Sequence, residues 1–213
     1  KVKEKLDFDD IYLRGRYQEV PVMVELDGTA GWVSIDTKCN VPFEDMSLDW
    51  DLEKIPVEAD DDDDDDDWGD EEEIRVFLAK GVFAEGGKSE VYQVMDAFAS
   101  LPKDLGDEIL TTMQTRRLTR FGIYGDGVHL GFDEDFYEMS DPIAEIKEVL
   151  VFTTKIAKIL GAAKPVEGSP TKFVIAGAAP AAALQLVTCS YCHTKFNMGA
   201  NSRCPNCGAP YTE

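Results

Sequence analysis

The first part of the chain alternates apolar and polar residues in the way that half-buried β-strands do. Two such stretches, Val20–Leu26 and residues 32–37, flank a Gly-containing turn at residues 27–31. Two alternating stretches joined by a turn of this kind predict a β-hairpin. A third stretch, residues 48–52, alternates Leu and Trp with Asp. It predicts another strand with one buried face and one acidic, solvated face.

Further along the chain, the same pattern predicts one more strand and a second hairpin. Residues 74–79 are apolar except at Arg75, which is typical of a buried strand. Leu118–Tyr124 and residues 128–132 are joined by Gly125-Asp126-Gly127, a strong turn signal.

Three segments carry apolar residues at the spacing of three and four positions that an amphipathic helix requires. The first spans residues 89–100, and the second starts at Pro102. The third is the clearest, because Asp141 is a suitable N-cap and Pro142 suits the first helical position. Gly161 follows this helix, and we expect it to end the helix as the C′ residue.

These elements predict an α+β fold with five or six strands and about three helices, because strands and helices do not strictly alternate. We expect a mostly antiparallel sheet with the helices on one face, built from residues 1–161. An Ala-, Gly- and Pro-containing linker, residues 162–187, would join this body to a small C-terminal module, residues 188–213. The length of 213 residues is suitable for one such body and a small module.

Charge narrows the choice of partner. The net charge is −21, and residues 60–73 contain twelve carboxylates and no basic residue. Because like charges repel, we expect residues 58–73 to form a disordered, solvated loop. A polyanion is repelled by nucleic-acid phosphate and by anionic membranes, so both are disfavoured as partners. The longest largely apolar stretch, residues 173–187, is too short for a membrane span and contains Pro180.

The strongest motif lies in the last 25 residues. Cys189 and Cys192 form one C-x-x-C pair, and Cys204 and Cys207 form a second pair after eleven intervening residues. Four thiolates at this spacing can bind one tetrahedral Zn²⁺ with Zn–S distances of about 2.3 Å. The second pair reads Cys-Pro-Asn-Cys-Gly, and the whole pattern resembles the zinc-ribbon (rubredoxin-knuckle) family. Because four thiolates fill the tetrahedron, we expect a structural zinc ion rather than a catalytic one.

Some details of this motif have alternatives. Two disulfides are possible in an oxidising compartment, but residues 1–10 are charged and lack the apolar region of a secretion signal, which favours the cytoplasm. His193 could be a substitute ligand, a hydrogen-bond donor to sulfur or an ordinary exposed residue. We expect Tyr191, Phe196 and Met198 to form a small apolar cap on the module.

Two other candidate sites are weaker. Residues 86–89 read Gly-Gly-Lys-Ser between a strand and a helix, which is the context of a P-loop. That motif needs Gly six residues before the Lys, where this chain has Val82, so we favour a plain connection with Ser89 as the N-cap. A nucleophilic pair of Cys39 and His129 remains open, without a local signature to support it.

The sequence therefore favours a non-enzymatic, zinc-binding, cytoplasmic protein that acts through protein partners. One alternative is a nucleic-acid-associated regulator whose acidic loop mimics DNA and masks the ribbon. Another is a nucleotide-binding enzyme that uses residues 86–89 as a degenerate phosphate loop.

Overall fold

Twelve strands and three helices occupy the part of the chain that this computed structural model describes, namely residues 11–27, 32–41, 46–50, 73–116, 118–132, 140–175, 185–198 and 201–211. The strands are β1 (Ile11–Tyr17), β2 (Val20–Leu26), β3 (Val33–Lys38), β4 (Met46–Trp50), β5 (Glu73–Ala79), β6 (Val82–Gly87), β7 (Leu118–Tyr124), β8 (Gly127–Phe132), β9 (Lys164–Val166), β10 (Ser169–Val174), β11 (Leu186–Thr188) and β12 (Lys195–Asn197). The helices are α1 (Lys88–Ser100), α2 (Lys103–Arg116) and α3 (Pro142–Leu160).

The main sheet has ten strands in the order β1-β2-β3-β8-β7-β4-β6-β5-β12-β11. The prediction of five or six strands was therefore too small, whereas the three predicted helices are present. β1 adds one strand at one end, β6 adds one between β4 and β5 where we expected a loop, and the C-terminal pair β11–β12 adds two at the other end. The described pairs are antiparallel except β12 with β5, which is parallel. A pairing between residues more than 110 positions apart leaves no local signal in the sequence.

At β5 and β6, the side chains on the two faces of the sheet pack into two different apolar clusters. Val76 and Leu78 of β5, with Val82 of β6, point into the main core, which the three helices share. Phe77 and Phe83 lie on the opposite face, because successive side chains of a strand point to opposite sides. These two strands are thus apolar on both faces and need a cover on each.

The long helix α3 closes the core over β2, β3 and β8. Its start is as predicted, because the Ala144 N–H donates a 3.0 Å hydrogen bond to Asp141 Oδ1 and Pro142 is the first helical residue. Its end differs from the prediction. Gly161 is the C-cap with φ −63°, an ordinary right-handed conformation, and not a left-handed C′ residue. The Gly161 N–H still donates to the Ala157 carbonyl, and the helix ends in a tightened turn where the Ala162 and Ala163 N–H groups donate to the carbonyls of Ile159 and Leu160.

The segment for which we predict a linker, residues 162–187, contains the β9–β10 hairpin and most of β11. Phe173 of β10 is buried, and β10 packs on α1. Glu73, predicted as the end of the acidic loop, opens β5. Residues 58–72 of that loop lie outside the described residues, and the domain boundaries remain predictions.

The turn between β7 and β8 offers a paired test of the fold. A Cβ added at Gly127 would lie 2.1 Å from the backbone oxygen of Thr37, whereas one added at Gly125 would meet nothing within 4 Å. We expect Gly127→Ala to lower the free energy of unfolding by about 2–3 kcal/mol, because β3 must move to relieve the overlap. Gly125→Ala should change it by less than about 0.5 kcal/mol. Urea denaturation of both variants checks this, and equal losses would contradict the β3–β8 register.

Candidate metal centre

Four cysteine side chains meet at the C-terminal end of the sheet. The sulfurs of Cys189, Cys192, Cys204 and Cys207 all lie within 4.8 Å of one another. The pairs Cys189–Cys207 and Cys192–Cys204 have Sγ–Sγ distances of 3.6 Å. A disulfide would require about 2.05 Å, and all four residues are free cysteines. Among the described residues this is the one group of three or more His, Cys, Asp or Glu side chains that could hold a metal ion.

The same backbone turn presents the cysteines twice. In the first turn the Cys189 N–H donates to the Thr194 carbonyl at 3.0 Å, and the His193 N–H donates to the Cys189 carbonyl at 3.0 Å. In the second turn the equivalent bonds run from the Cys204 N–H to the Ala209 carbonyl and from the Gly208 N–H to the Cys204 carbonyl, both at 2.9 Å. Each turn therefore brings its two sulfurs to one side of a closed loop.

His193 and Gly208 occupy equivalent positions in these turns. Both have left-handed backbone conformations, with φ +56° and +73°. Glycine adopts this conformation without strain, whereas a residue with a Cβ is strained in it. His193 is exposed, and its ring is not part of the sulfur cluster. The structure therefore gives His193 a backbone role, and it does not support the alternatives of a substitute ligand or a donor to sulfur.

Thr194 and Asn206 surround the sulfur of Cys192. Asn206 Nδ2 donates to Cys192 Sγ at 3.7 Å and to Thr194 Oγ1 at 3.1 Å, and Thr194 Oγ1 lies 3.3 Å from the same sulfur. Burial acts to raise the pKa of Cys192, but hydrogen bonds from the Thr194 side chain and backbone, together with those from the Cys207 and Cys204 thiols, outweigh it and lower the pKa to about 6. These bonds favour the thiolate, which is the form that binds a metal. Sequence reasoning missed Asn206, although its place inside the second C-x-x-C pair is a usable signal.

The cysteine module, by which we mean residues 186–198 and 201–211, packs directly on the sheet. Phe196 is fully buried in one cluster with Phe77 and Phe83, and this cluster also contains Cys189 and Cys204. The prediction that Tyr191 belongs to an apolar cap was wrong, because its side chain is 70% exposed.

Polar contacts fix the same interface. Asn201 Nδ2 donates to the Leu78 carbonyl at 2.9 Å and to the Asn197 carbonyl at 3.1 Å. On the sheet, the Arg75 guanidinium lies 4.7 Å from the centre of the Phe83 ring and pairs with Glu85. The interface thus combines strand pairing, apolar burial and side-chain hydrogen bonds.

The structure separates Cys39 from His129. His129 lies on the face of the sheet away from the helices, where its Nδ1 is 2.7 Å from Asp36 Oδ1. Cys39 lies three positions further along the chain than Asp36, near Gly161 at the end of α3. Burial and the nearby charge of Asp126 raise the pKa of Cys39 to about 11, which disfavours a nucleophilic thiolate. The residues of this pair are therefore not brought together.

Residues 86–89 do not form a loop. Gly86 and Gly87 are the last residues of β6 and pair with Ile74 and Glu73 of β5. The next helix starts at Lys88 with Gly87 as its N-cap, so the prediction that Ser89 is the N-cap was wrong. A phosphate loop would need these residues to curl around the ligand instead of extending the ladder.

The chain matches no family model, no curated protein and no solved structure. No helix in the described part of the chain is both long and apolar enough to cross a membrane.

The two equivalent turns predict different effects on metal affinity for substitutions at Gly208 and at His193. Gly208→Ala should weaken metal binding about fivefold, since forcing a Cβ into the left-handed region costs about 1 kcal/mol. A Cβ at Gly208 would touch nothing within 4 Å, so the backbone conformation is the sole cause. His193→Gly should bind metal at least as tightly as the wild type. Competition with a chelator measures both affinities, and a tenfold loss for His193→Gly would show that its imidazole takes part in the site.

Proposed function

We propose that the four cysteines bind one structural zinc ion, and that the cysteine module is a zinc ribbon that presents a surface to a protein partner. The sulfur geometry supports zinc. A tetrahedral site with Zn–S distances of about 2.3 Å has S···S edges of about 3.8 Å. The two 3.6 Å sulfur pairs are close to that value. Asn206, Thr194 and the turn N–H groups would then orient the ligands from outside the sphere.

A non-enzymatic role agrees with this donor set. Four thiolates fill a tetrahedron, so zinc held by them has no position left for water or substrate. Cys189 and Cys204 are also buried against the sheet. Zinc here would stabilise the module, on the scale of 10 kcal/mol found for short zinc peptides. Reduced thiols of this kind suit the cytoplasm, which we propose as the compartment.

Tyr191 is the observation that supports a protein partner. It lies between two metal-site cysteines, in a turn whose backbone is fixed, and yet its side chain is 70% exposed. An exposed tyrosine on a fixed backbone is a common anchor of protein interfaces, because it buries a large area and has few side-chain torsions to order. The net charge of −21 makes a protein with a basic surface a better partner than nucleic acid.

Metal removal tests the structural role of zinc. The purified chain should contain one zinc per molecule by elemental analysis. After chelation, hydrogen exchange should become fast in β11 and β12 and faster at Val76 and Phe77 of β5, because the parallel pair β12–β5 is lost. The β7–β8 hairpin should remain protected, since it lies in the main core. Loss of protection throughout the sheet, or no change at all, would refute this division.

Substitution of Tyr191 tests the interaction surface. Tyr191→Ala should keep the zinc content and the melting temperature, but should weaken binding of the partner by about 30-fold, which corresponds to about 2 kcal/mol. Tyr92→Ala is the matched control, because Tyr92 is also an exposed tyrosine but lies on α1. The wild type and the two variants are each used for affinity capture, and quantitative mass spectrometry identifies the partners that are lost with Tyr191→Ala alone. Titration then measures the affinity of each such partner. An identical set of captured proteins for all three would reject the proposal.

A further inference from the structure

The strand β1 is a long edge that is exposed on both faces. It pairs with β2 over all seven of its residues, and no other described strand pairs with it. Leu13 is 57% exposed and Ile11 is 43% exposed. Both lie on the helix side of the sheet, because Leu13 pairs with Val24, a residue of the main core. Apolar edge strands of this length are usually covered, since they can pair with another chain.

Helix α3 carries a further exposed apolar side chain on the flank that faces this end of the sheet. Lys158 Nζ donates to Gln18 Oε1 at 3.0 Å, so this flank of α3 lies beside the turn between β1 and β2. Val151 is on the same flank, two helical turns earlier, and its side chain is also exposed. Ile11 and Leu13 therefore form an exposed apolar strip along the helix side of the β1 edge, and Val151 is a further exposed apolar side chain on this flank of α3.

The sequence of β1 is complementary to itself. In an antiparallel ladder, residues that are directly opposite point to the same face. A twofold axis at Leu13 sets Leu13 opposite its own copy and Ile11 opposite Gly15. Gly15 leaves room for Ile11, because even a Cβ at Gly15 would meet nothing within 4 Å. On the other face, Tyr12 is set opposite Arg14, a favourable cation–π pair.

We propose that a second copy of this chain binds antiparallel to β1 with the twofold axis at Leu13, so that two sheets become one continuous sheet. An axis at Arg14 would instead place two guanidinium groups opposite each other. The exposed Ile11 and Leu13 side chains of the two copies would then cover one another across the seam. Each copy carries a net charge of −21, so the dimer must form against long-range repulsion.

Disulfide trapping tests the register. In the zinc-loaded protein, Leu13→Cys chains should cross-link to each other under mild oxidation, because opposite residues at the axis have Cα atoms within disulfide range. Ile11→Cys chains should not, because their two sulfurs would be four residues apart along the ladder, about 14 Å. A mixture of Ile11→Cys and Gly15→Cys chains should cross-link. Equal trapping of Leu13→Cys and Ile11→Cys would overturn the register.

Molar-mass measurements test the dimer itself. Wild-type protein should reach twice its 23.6 kDa mass as concentration rises. The dissociation constant should fall when ionic strength rises from about 0.01 M to about 0.15 M, because the Debye length shrinks from about 30 Å to about 8 Å. Leu13→Lys should remain a monomer, whereas Val174→Lys, at an equally exposed position (57%) on β10, should dimerise like the wild type. A wild-type monomer throughout, or a Leu13→Lys dimer, would contradict the proposal.

Discussion

The structure depends on the need to cover both faces of β5 and β6. Val76 and Val82 point to the helices, while Phe77 and Phe83 point the other way, so neither face can be left to water. Exposure of both phenylalanines would cost several kcal/mol in lost burial. The helices fill one side, and the cysteine module fills the other through Phe196. The C-terminal residues are thus part of the sheet's apolar packing and not an appendage to a finished body.

This arrangement links the candidate metal site to the sheet. Cys189 and Cys204 belong to the same buried cluster as the three phenylalanines, so the sulfur positions and the aromatic packing are set together. A module of this size cannot bury enough apolar surface to fold alone. The body supplies part of its core, and a metal ion held by the clustered thiols would cross-link its two turns. Each half of the interface therefore lowers the cost of forming the other.

Local features were predictable from the sequence, and long-range ones were not. The spacing of the cysteines, the Gly125–Gly127 turn region and the Asp141 cap depend on neighbours a few residues away, and the structure shows them as expected. The pairing of β5 with β12 could not be predicted. An apolar strand that contains Arg75 has the same sequence pattern whichever strand covers its edge. Phe77 gave no sign of its separate cluster for the same reason. Asn206 and the left-handed His193 become visible when the two turns are compared in space.

The two edge strands of the sheet, β11 and β1, differ in how readily they could pair with another chain. At one end the last strand, β11, has three residues, so it offers only a short ladder to another strand. At the other end β1 has seven residues and presents apolar side chains with Arg14 beside them. Short or blocked edges are the usual protection against unwanted association, and a long apolar edge is the usual means of a specific one. The same sheet therefore combines one end whose edge strand is short with another whose edge strand is long and suited to a further strand.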